Sequence, residues 1–84
     1  MLEQGVWAEV IVGDEHLQLY SERTPNGVQS SVYNVKERTW LAPSEQVDDI
    51  DQGKDRAERY ATAYLRRVAN SELPPLNWKK SRSA

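Results

Sequence analysis

The chain contains no cysteine and no phenylalanine, and it has a single histidine among its 84 residues. Without cysteine it can form neither a disulfide framework nor a thiolate metal site, and it has no cysteine nucleophile. Long apolar runs are absent, and the first ten residues, MLEQGVWAEV, lack the basic and apolar regions of a signal peptide. These absences, together with the short length, predict one small cytoplasmic domain that does not contact a membrane.

Charge is distributed unevenly along the chain, although the net charge is only −2. Residues 1–55 hold eleven of the thirteen acidic side chains, whereas residues 56–84 hold seven of the eleven basic ones. Such asymmetry can mark an interaction surface. It can equally arise from the placement of charges along a helix dipole, followed by a basic tail.

Three segments near the start of the chain have the periodicity of strands. Each alternates apolar and polar residues with a period of two and contains residue types that favour β structure. The segments are Val6–Val12, His16–Arg23 and Val28–Lys36. The loops between them are short and contain Gly, Pro, Asn and Asp, which predicts an antiparallel meander.

The two loops also predict which side chains share a face of the sheet. The first loop, Gly13–His16, favours a tight hairpin, and the second, Thr24–Val28, favours a three-residue loop. The second loop would pair Leu19 with Tyr33 and so direct Tyr33 toward the core. The predicted core face of the sheet comprises Val6, Val10, Val12, Leu17, Leu19, Tyr33 and Val35.

A single long helix is predicted from Asp51 to Asn70. Apolar residues recur there at helical spacing and form one stripe: Ala57, Tyr60, Ala61, Tyr64, Leu65, Val68 and Ala69. Asp51 is the predicted N-cap, and Pro74 prevents the helix from extending past Leu73. The predicted fold class is therefore α+β: a three-stranded antiparallel β-meander followed by one long C-terminal helix packed on one sheet face (β-β-β-α).

Residues 1–73 form the predicted single domain, and residues 74–84, here called the closing segment, follow it. The closing segment reads PPLNWKKSRSA, and its two prolines favour an extended backbone. We expect Leu76 and Trp78 to fold back onto the sheet. The basic residues 79–84 would then form a disordered tail.

The sheet face opposite the helix carries apolar side chains that need a cover, because one helix covers one face only. We predict that this face binds another protein or a second copy of the chain, as in a homodimer. The predicted contact residues are Trp7, Ile11, Tyr20, Val32 and Trp40. The closing segment is an alternative cover for the same face, and a ligand is a third.

Nucleic-acid binding is the alternative function. Arginines recur on the helix face opposite the apolar stripe, and further basic residues follow in the closing segment. These residues are Arg56, Arg59, Arg66, Arg67, Lys79, Lys80 and Arg82. The β-β-β-α order is similar in topology to the arm-type DNA-binding domains of tyrosine recombinases, which read the duplex with a basic sheet face. The corresponding face here carries Glu9 and Glu22 instead, so the similarity is one of topology alone.

The sequence predicts neither an enzyme nor a cofactor-binding protein. His16 is the single histidine, and the predicted register places it on the outer sheet face without a neighbouring cleft. The acidic run Asp48–Asp55 resembles a calcium loop only in composition, since an EF-hand starting at Asp49 requires a carboxylate where Tyr60 stands. Acidic residues near a helix N-terminus account for this run. We therefore expect no metal ion and no other cofactor.

Overall fold

The computed structural model describes residues 5–41 and 44–80, and it confirms the predicted α+β class. The meander consists of β1 (Gly5–Val12), β2 (Glu15–Thr24) and β3 (Gly27–Asn34), and the helix is α1 (Ile50–Ala69). Three shorter strands complete the sheet: β4 (Thr39–Trp40), β5 (Glu45–Val47) and β6 (Lys79–Lys80). No helix in the two described ranges is both long enough and apolar enough to cross a membrane.

The strand order across the sheet is β4-β3-β2-β1-β6, and β5 pairs with β3 as well. Strands β4 and β5 therefore share one edge of the sheet, whereas β6 lies at the opposite edge, against β1. The predicted continuation of the third strand as far as Lys36 is wrong. The chain turns after Asn34, with Arg38 in a left-handed conformation at a φ of 56°, and returns as β4.

The core lies between α1 and one face of the sheet, here called the covered face. Its buried cluster comprises Val10, Leu17, Leu19, Val32, Ala57, Ala61 and Leu65. Burial of these apolar side chains is the main source of stability. The predicted helix stripe enters the core as far as Leu65, whereas Val68 in the last turn is 46% exposed.

The second hairpin differs from the prediction and reverses the two faces of β3. Its loop contains only Pro25 and Asn26, so that Leu19 pairs with Val32 rather than with Tyr33. A shift of one residue in register exchanges the two faces of a strand. Val32 therefore lies in the core at 2% exposure, and the prediction that it faces outward is wrong.

The predictions of Tyr33 and Val35 as core residues are wrong for the same reason. Tyr33 lies on the face away from α1, and Val35 lies half-buried in the turn after β3. Ser30 takes an inward position instead, and its hydroxyl donates a hydrogen bond to the Gly53 carbonyl at 2.8 Å. Small inward side chains let the helix lie close to β3, and this hydrogen bond satisfies a buried polar group.

The helix begins at Ile50, one residue before the predicted start, and its N-cap is Asp49 rather than Asp51. The Asp49 carboxylate accepts a hydrogen bond from the backbone N–H of Gln52 at 2.8 Å. At the other end Asn70 adopts a left-handed conformation with a φ of 49°, and its N–H donates to the Leu65 carbonyl.

Gly53 lies where the helix packs tightly against Ser21 on β2. A Cβ atom at this position would lie 2.0 Å from the Ser21 Oγ atom, which itself donates to the Ile50 carbonyl at 2.8 Å. A glycine inside a helix destabilises it by about 0.5–1 kcal/mol relative to alanine. Close packing against Ser21 therefore explains why this helical position is a glycine, although helix propensity disfavours glycine.

Candidate protein-binding face

The sheet face opposite α1, here called the open face, carries a row of aromatic side chains. The aromatic row consists of Trp7 on β1, Tyr20 on β2, Tyr33 on β3 and Trp40 on β4. The ring centroids of Trp7 and Tyr20 lie 6.5 Å apart with an interplanar angle of 22°. Trp40 contacts both tyrosines, at 5.8 Å from Tyr20 and 4.9 Å from Tyr33, with its ring inclined by 60° and 63°. The row therefore crosses the sheet as one continuous cluster.

The strand register explains why these four rings meet. Trp7 lies directly opposite Tyr20, and Tyr33 lies directly opposite Trp40. Side chains that face each other across an antiparallel pair project from the same face, with Cβ atoms about 4.5–5.5 Å apart. The turn after β3 is therefore what brings Trp40 into the row.

Four of the five predicted contact residues lie on the open face: Trp7, Ile11, Tyr20 and Trp40. Ile11 is 65% exposed and lies beside the first hairpin, beyond Glu9 and away from the aromatic row. Tyr33 belongs to the row, although the sequence assigned it to the core. The local signal that could have placed Tyr33 on the open face is the length of the second loop. The Pro and Gly residues of this loop are compatible with a length of either two or three residues.

Polar groups surround the aromatic row. The Nε2 atom of His16 lies 2.7 Å from a carboxylate oxygen of Glu9, and this hydrogen bond lowers the pKa of Glu9. The Tyr20 hydroxyl donates to the side-chain oxygen of Gln18 at 2.6 Å. Burial, reinforced by the negative charge of Glu22, raises the pKa of Tyr20. The open face therefore combines large rings with carboxylates.

Lys79 places a positive charge at the β6 edge of the open face. It lies opposite Trp7, and its Nζ atom is 5.5 Å from the Trp7 ring centroid, within the range of a cation–π contact. Lys79 and Lys80 thus lie in a strand rather than in a disordered tail. Arg82 lies outside the described residues.

Leu76 and Trp78 of the closing segment pack beside the helix and not on the open face, which the segment reaches at Lys79. The Trp78 Nε1 atom donates to a carboxylate oxygen of Glu58 at 3.3 Å, and the Lys54 Nζ atom lies 5.7 Å from the Trp78 ring centroid. Leu76 and Trp78 are both partly buried against the core cluster. The predicted position of these two residues on the outer sheet face is therefore wrong, and the aromatic row lacks that cover.

The described basic residues that were predicted to bind nucleic acid lie along α1 and at the β6 edge of the sheet. The Arg56 guanidinium lies 3.1 Å from a carboxylate oxygen of Glu45, at the β5 edge of the sheet. Lys79 and Lys80 lie on β6, at the opposite edge. Four strand spacings separate β5 from β6, which corresponds to about 19 Å.

The remaining helix arginines are directed to neighbours on the helix itself or to solvent. The Arg59 Nε atom lies 2.9 Å from a carboxylate oxygen of Asp55, and the Arg67 guanidinium lies 5.6 Å from the Tyr64 ring centroid. Arg66 is exposed. The acidic partners of Arg56 and Arg59 reduce the positive potential that attracts phosphate groups.

The acidic run Asp48–Asp55 lies at the start of α1, where Asp49 caps the helix. The Asp51 carboxylate lies 3.9 Å from the Lys54 Nζ atom one turn later. Across the described ranges, no three His, Asp or Glu side chains are grouped so that they could hold a metal ion. Helix capping and the helix dipole account for the acidic residues in this position.

Comparison of the chain with protein-family profiles, curated protein sequences and solved structures found no match. A functional assignment for this chain therefore depends on the geometry and chemistry of the open face.

Proposed function

We propose that this chain is a non-enzymatic protein-binding module that contacts another protein, or a second copy of itself, through the open face. The observation that carries the proposal is the aromatic row, which lies on the side of the sheet away from α1 and from Leu76 and Trp78 of the closing segment. Trp40, at the end of the row, is 55% exposed.

The composition of the open face resembles the centre of a protein interface. Trp and Tyr are enriched at such centres, because a rigid ring buries a large apolar area and loses little conformational entropy. Glu9 and Glu22 lie on opposite sides of the aromatic row, and Lys79 lies at its end. Charged groups around apolar rings are the usual arrangement of an interface rim.

The distribution of charge favours a protein over a nucleic acid. Phosphate groups bound to the open face would lie close to Glu9 and Glu22, which repel them. Of the cations that would attract phosphate, Arg56 lies near one edge of the sheet and Lys79 lies at the other. Burial of the aromatic rings against another protein needs no such cations.

The test compares wild-type protein with Trp40→Ala and with a matched control, Val68→Ala. Both side chains are large, apolar and about half exposed, but Val68 lies on the last turn of α1. Self-association is measured by sedimentation velocity over a concentration series. Binding of other proteins is measured by affinity capture with quantitative mass spectrometry.

The proposal predicts that wild-type protein forms a complex, with itself or another protein, which Trp40→Ala loses and Val68→Ala retains. Circular dichroism must show that all three proteins are folded. Identical association of wild-type protein and Trp40→Ala in both assays would contradict the proposal, and so would the absence of any complex.

A further inference from the structure

The aromatic side chains on the two sides of the sheet differ in whether their N–H and O–H groups form hydrogen bonds within the chain. On the covered side, the Tyr60 hydroxyl donates to the Leu41 carbonyl at 2.6 Å, and the Tyr64 hydroxyl donates to Glu15 at 2.9 Å. The indole N–H of Trp78 donates to Glu58, as described above. All of these rings are fixed by hydrogen bonds within the chain.

The open face has donors without such partners. The Tyr20 hydroxyl donates to Gln18. The indole N–H groups of Trp7 and Trp40 and the hydroxyl of Tyr33 form no hydrogen bond with any residue in the described ranges. The aromatic row thus presents three donors, each attached to a large apolar ring.

A partner that covers this row must supply acceptors, because a buried donor left without a partner destabilises a complex by about 1–3 kcal/mol. The carbonyls of a helix are already bonded within the helix. A proline-rich segment in the polyproline II conformation is different, because its carbonyls are free of internal hydrogen bonds and its prolines carry no N–H. Aromatic grooves bearing donors are a recurring means of binding such segments.

Two glutamates and one lysine lie around the aromatic row, and the Glu22 carboxylate indicates the sign of the charge that the partner places beside it. Glu9 is paired with His16, but Glu22 forms no ion pair with any of the residues that the structure describes. Glu22 lies two residues from Tyr20 on the same strand face, and its charge contributes to the raised pKa of Tyr20. A lysine or arginine next to the prolines would complement this carboxylate.

We propose that the open face binds a proline-rich segment in the polyproline II conformation that carries a lysine or arginine beside its prolines. This inference rests on the proposed function and specifies the class of partner. The rings of the aromatic row contact the prolines, their N–H and O–H groups donate to the peptide carbonyls, and Glu22 pairs with the cation.

The test uses the three tryptophan indole N–H signals in two-dimensional ¹H–¹⁵N NMR spectra of the full chain. The first probe is a short synthetic peptide of consecutive prolines with an arginine at each end. Two control peptides replace the prolines by glycine and serine, or the arginines by glutamate. An oligothymidylate of similar length serves as the nucleic-acid probe.

The arginine–proline peptide is expected to shift the indole signals of Trp7 and Trp40 and to leave that of Trp78 unchanged. Trp40→Ala should weaken binding about tenfold or more, as expected for an aromatic ring that becomes buried in an interface. Glu22→Gln preserves the size of the side chain, and it should weaken binding of the arginine–proline peptide but not of the glutamate–proline peptide.

Three results would overturn this inference and leave the proposed function in place. They are equal binding of the glycine–serine peptide, equal binding of the glutamate–proline peptide, and no binding of any peptide while the capture experiment still yields a complex that depends on Trp40. Shifts of Trp7 and Trp40 caused by the oligothymidylate alone would contradict both proposals.

Discussion

The covered face and the open face belong to the same strands, yet their side chains differ in size. Inward positions carry small or aliphatic residues, and the largest fully buried side chains are Leu17, Leu19 and Leu65. Outward positions carry two tryptophans and two tyrosines. The bulkiest rings of the sheet thus lie outside the core.

The reason for this difference is the short distance between α1 and the sheet. The helix approaches through Gly53, Ala57 and Ala61, and the hydroxyls of Ser21 and Ser30 bond directly to its first-turn carbonyls. An aromatic ring at an inward position of β2 or β3 would force the helix away. Aromatic residues in a small domain can therefore indicate a surface for association rather than a core.

The largest expected difference between the two faces is in the free energy of unfolding. Leu65→Ala removes a fully buried side chain and should destabilise the fold by about 2–5 kcal/mol. Ile11→Ala truncates a side chain that is 65% exposed on the open face, and it should change stability by about 0.5 kcal/mol or less. Urea denaturation measures both values. Similar losses for the two variants would refute the assignment of the faces.

A second prediction concerns the close approach at Gly53. Gly53→Ala should destabilise the protein by about 1–3 kcal/mol, because the new Cβ atom overlaps the Ser21 hydroxyl. The control is Ala63→Gly at an exposed position of the same helix, where propensity alone predicts a loss of about 1 kcal/mol. Stabilisation by Gly53→Ala in thermal or urea unfolding would show that the contact is looser than described.

Trp78, next to β6, and Trp40, on β4, lie near opposite edges of the sheet and provide a third comparison. Trp78→Ala removes a partly buried ring and its hydrogen bond to Glu58, and it should cost about 1–2 kcal/mol. Trp40→Ala should cost less than about 1 kcal/mol, because the ring is 55% exposed. Chemical denaturation of both variants measures the difference. A larger loss for Trp40→Ala would assign the aromatic row a structural role instead of a binding role.

The smallest expected effect is on the pH dependence of stability. The hydrogen bond from His16 lowers the pKa of Glu9 in the folded state, so this pair stabilises the fold above the ordinary glutamate pKa of about 4.3. The contribution is lost as the pH falls through that value and then through the lowered pKa. Glu9→Gln should remove this part of the acid sensitivity. Denaturation at a series of pH values should therefore give converging stabilities at low pH, and parallel curves would contradict the coupling.

Local patterns in the sequence were sufficient to predict the strands of the meander and the helix. Period-two alternation and a helical stripe are signals within one segment, and they were enough to locate each of these elements along the chain. The position of Trp7 and Tyr20 on one face followed from the same alternation. The uncovered sheet face was predicted because the sequence indicates a single helix, and one helix covers only one face of a sheet.

The arrangement of β3 was decided by tertiary contacts. Its two faces are nearly equal in apolar character, with Val28 and Val32 on one and Tyr33 with Val35 on the other, so hydrophobic pattern cannot choose between them. The loop residues permit either length. The close fit of Ser30 beneath Gly53 exists only when the valines point inward.

The short strands also could not be predicted from patterns in the sequence. β4 and β6 contain two residues each, which is too few for any periodicity. They form because the edges of the meander present unpaired backbone groups that a nearby segment can bond. The sequence by itself thus determined the strands, the helix and the existence of an open face. Only the assembled sheet decided which rings meet there, because that depends on register and edge pairing between distant segments.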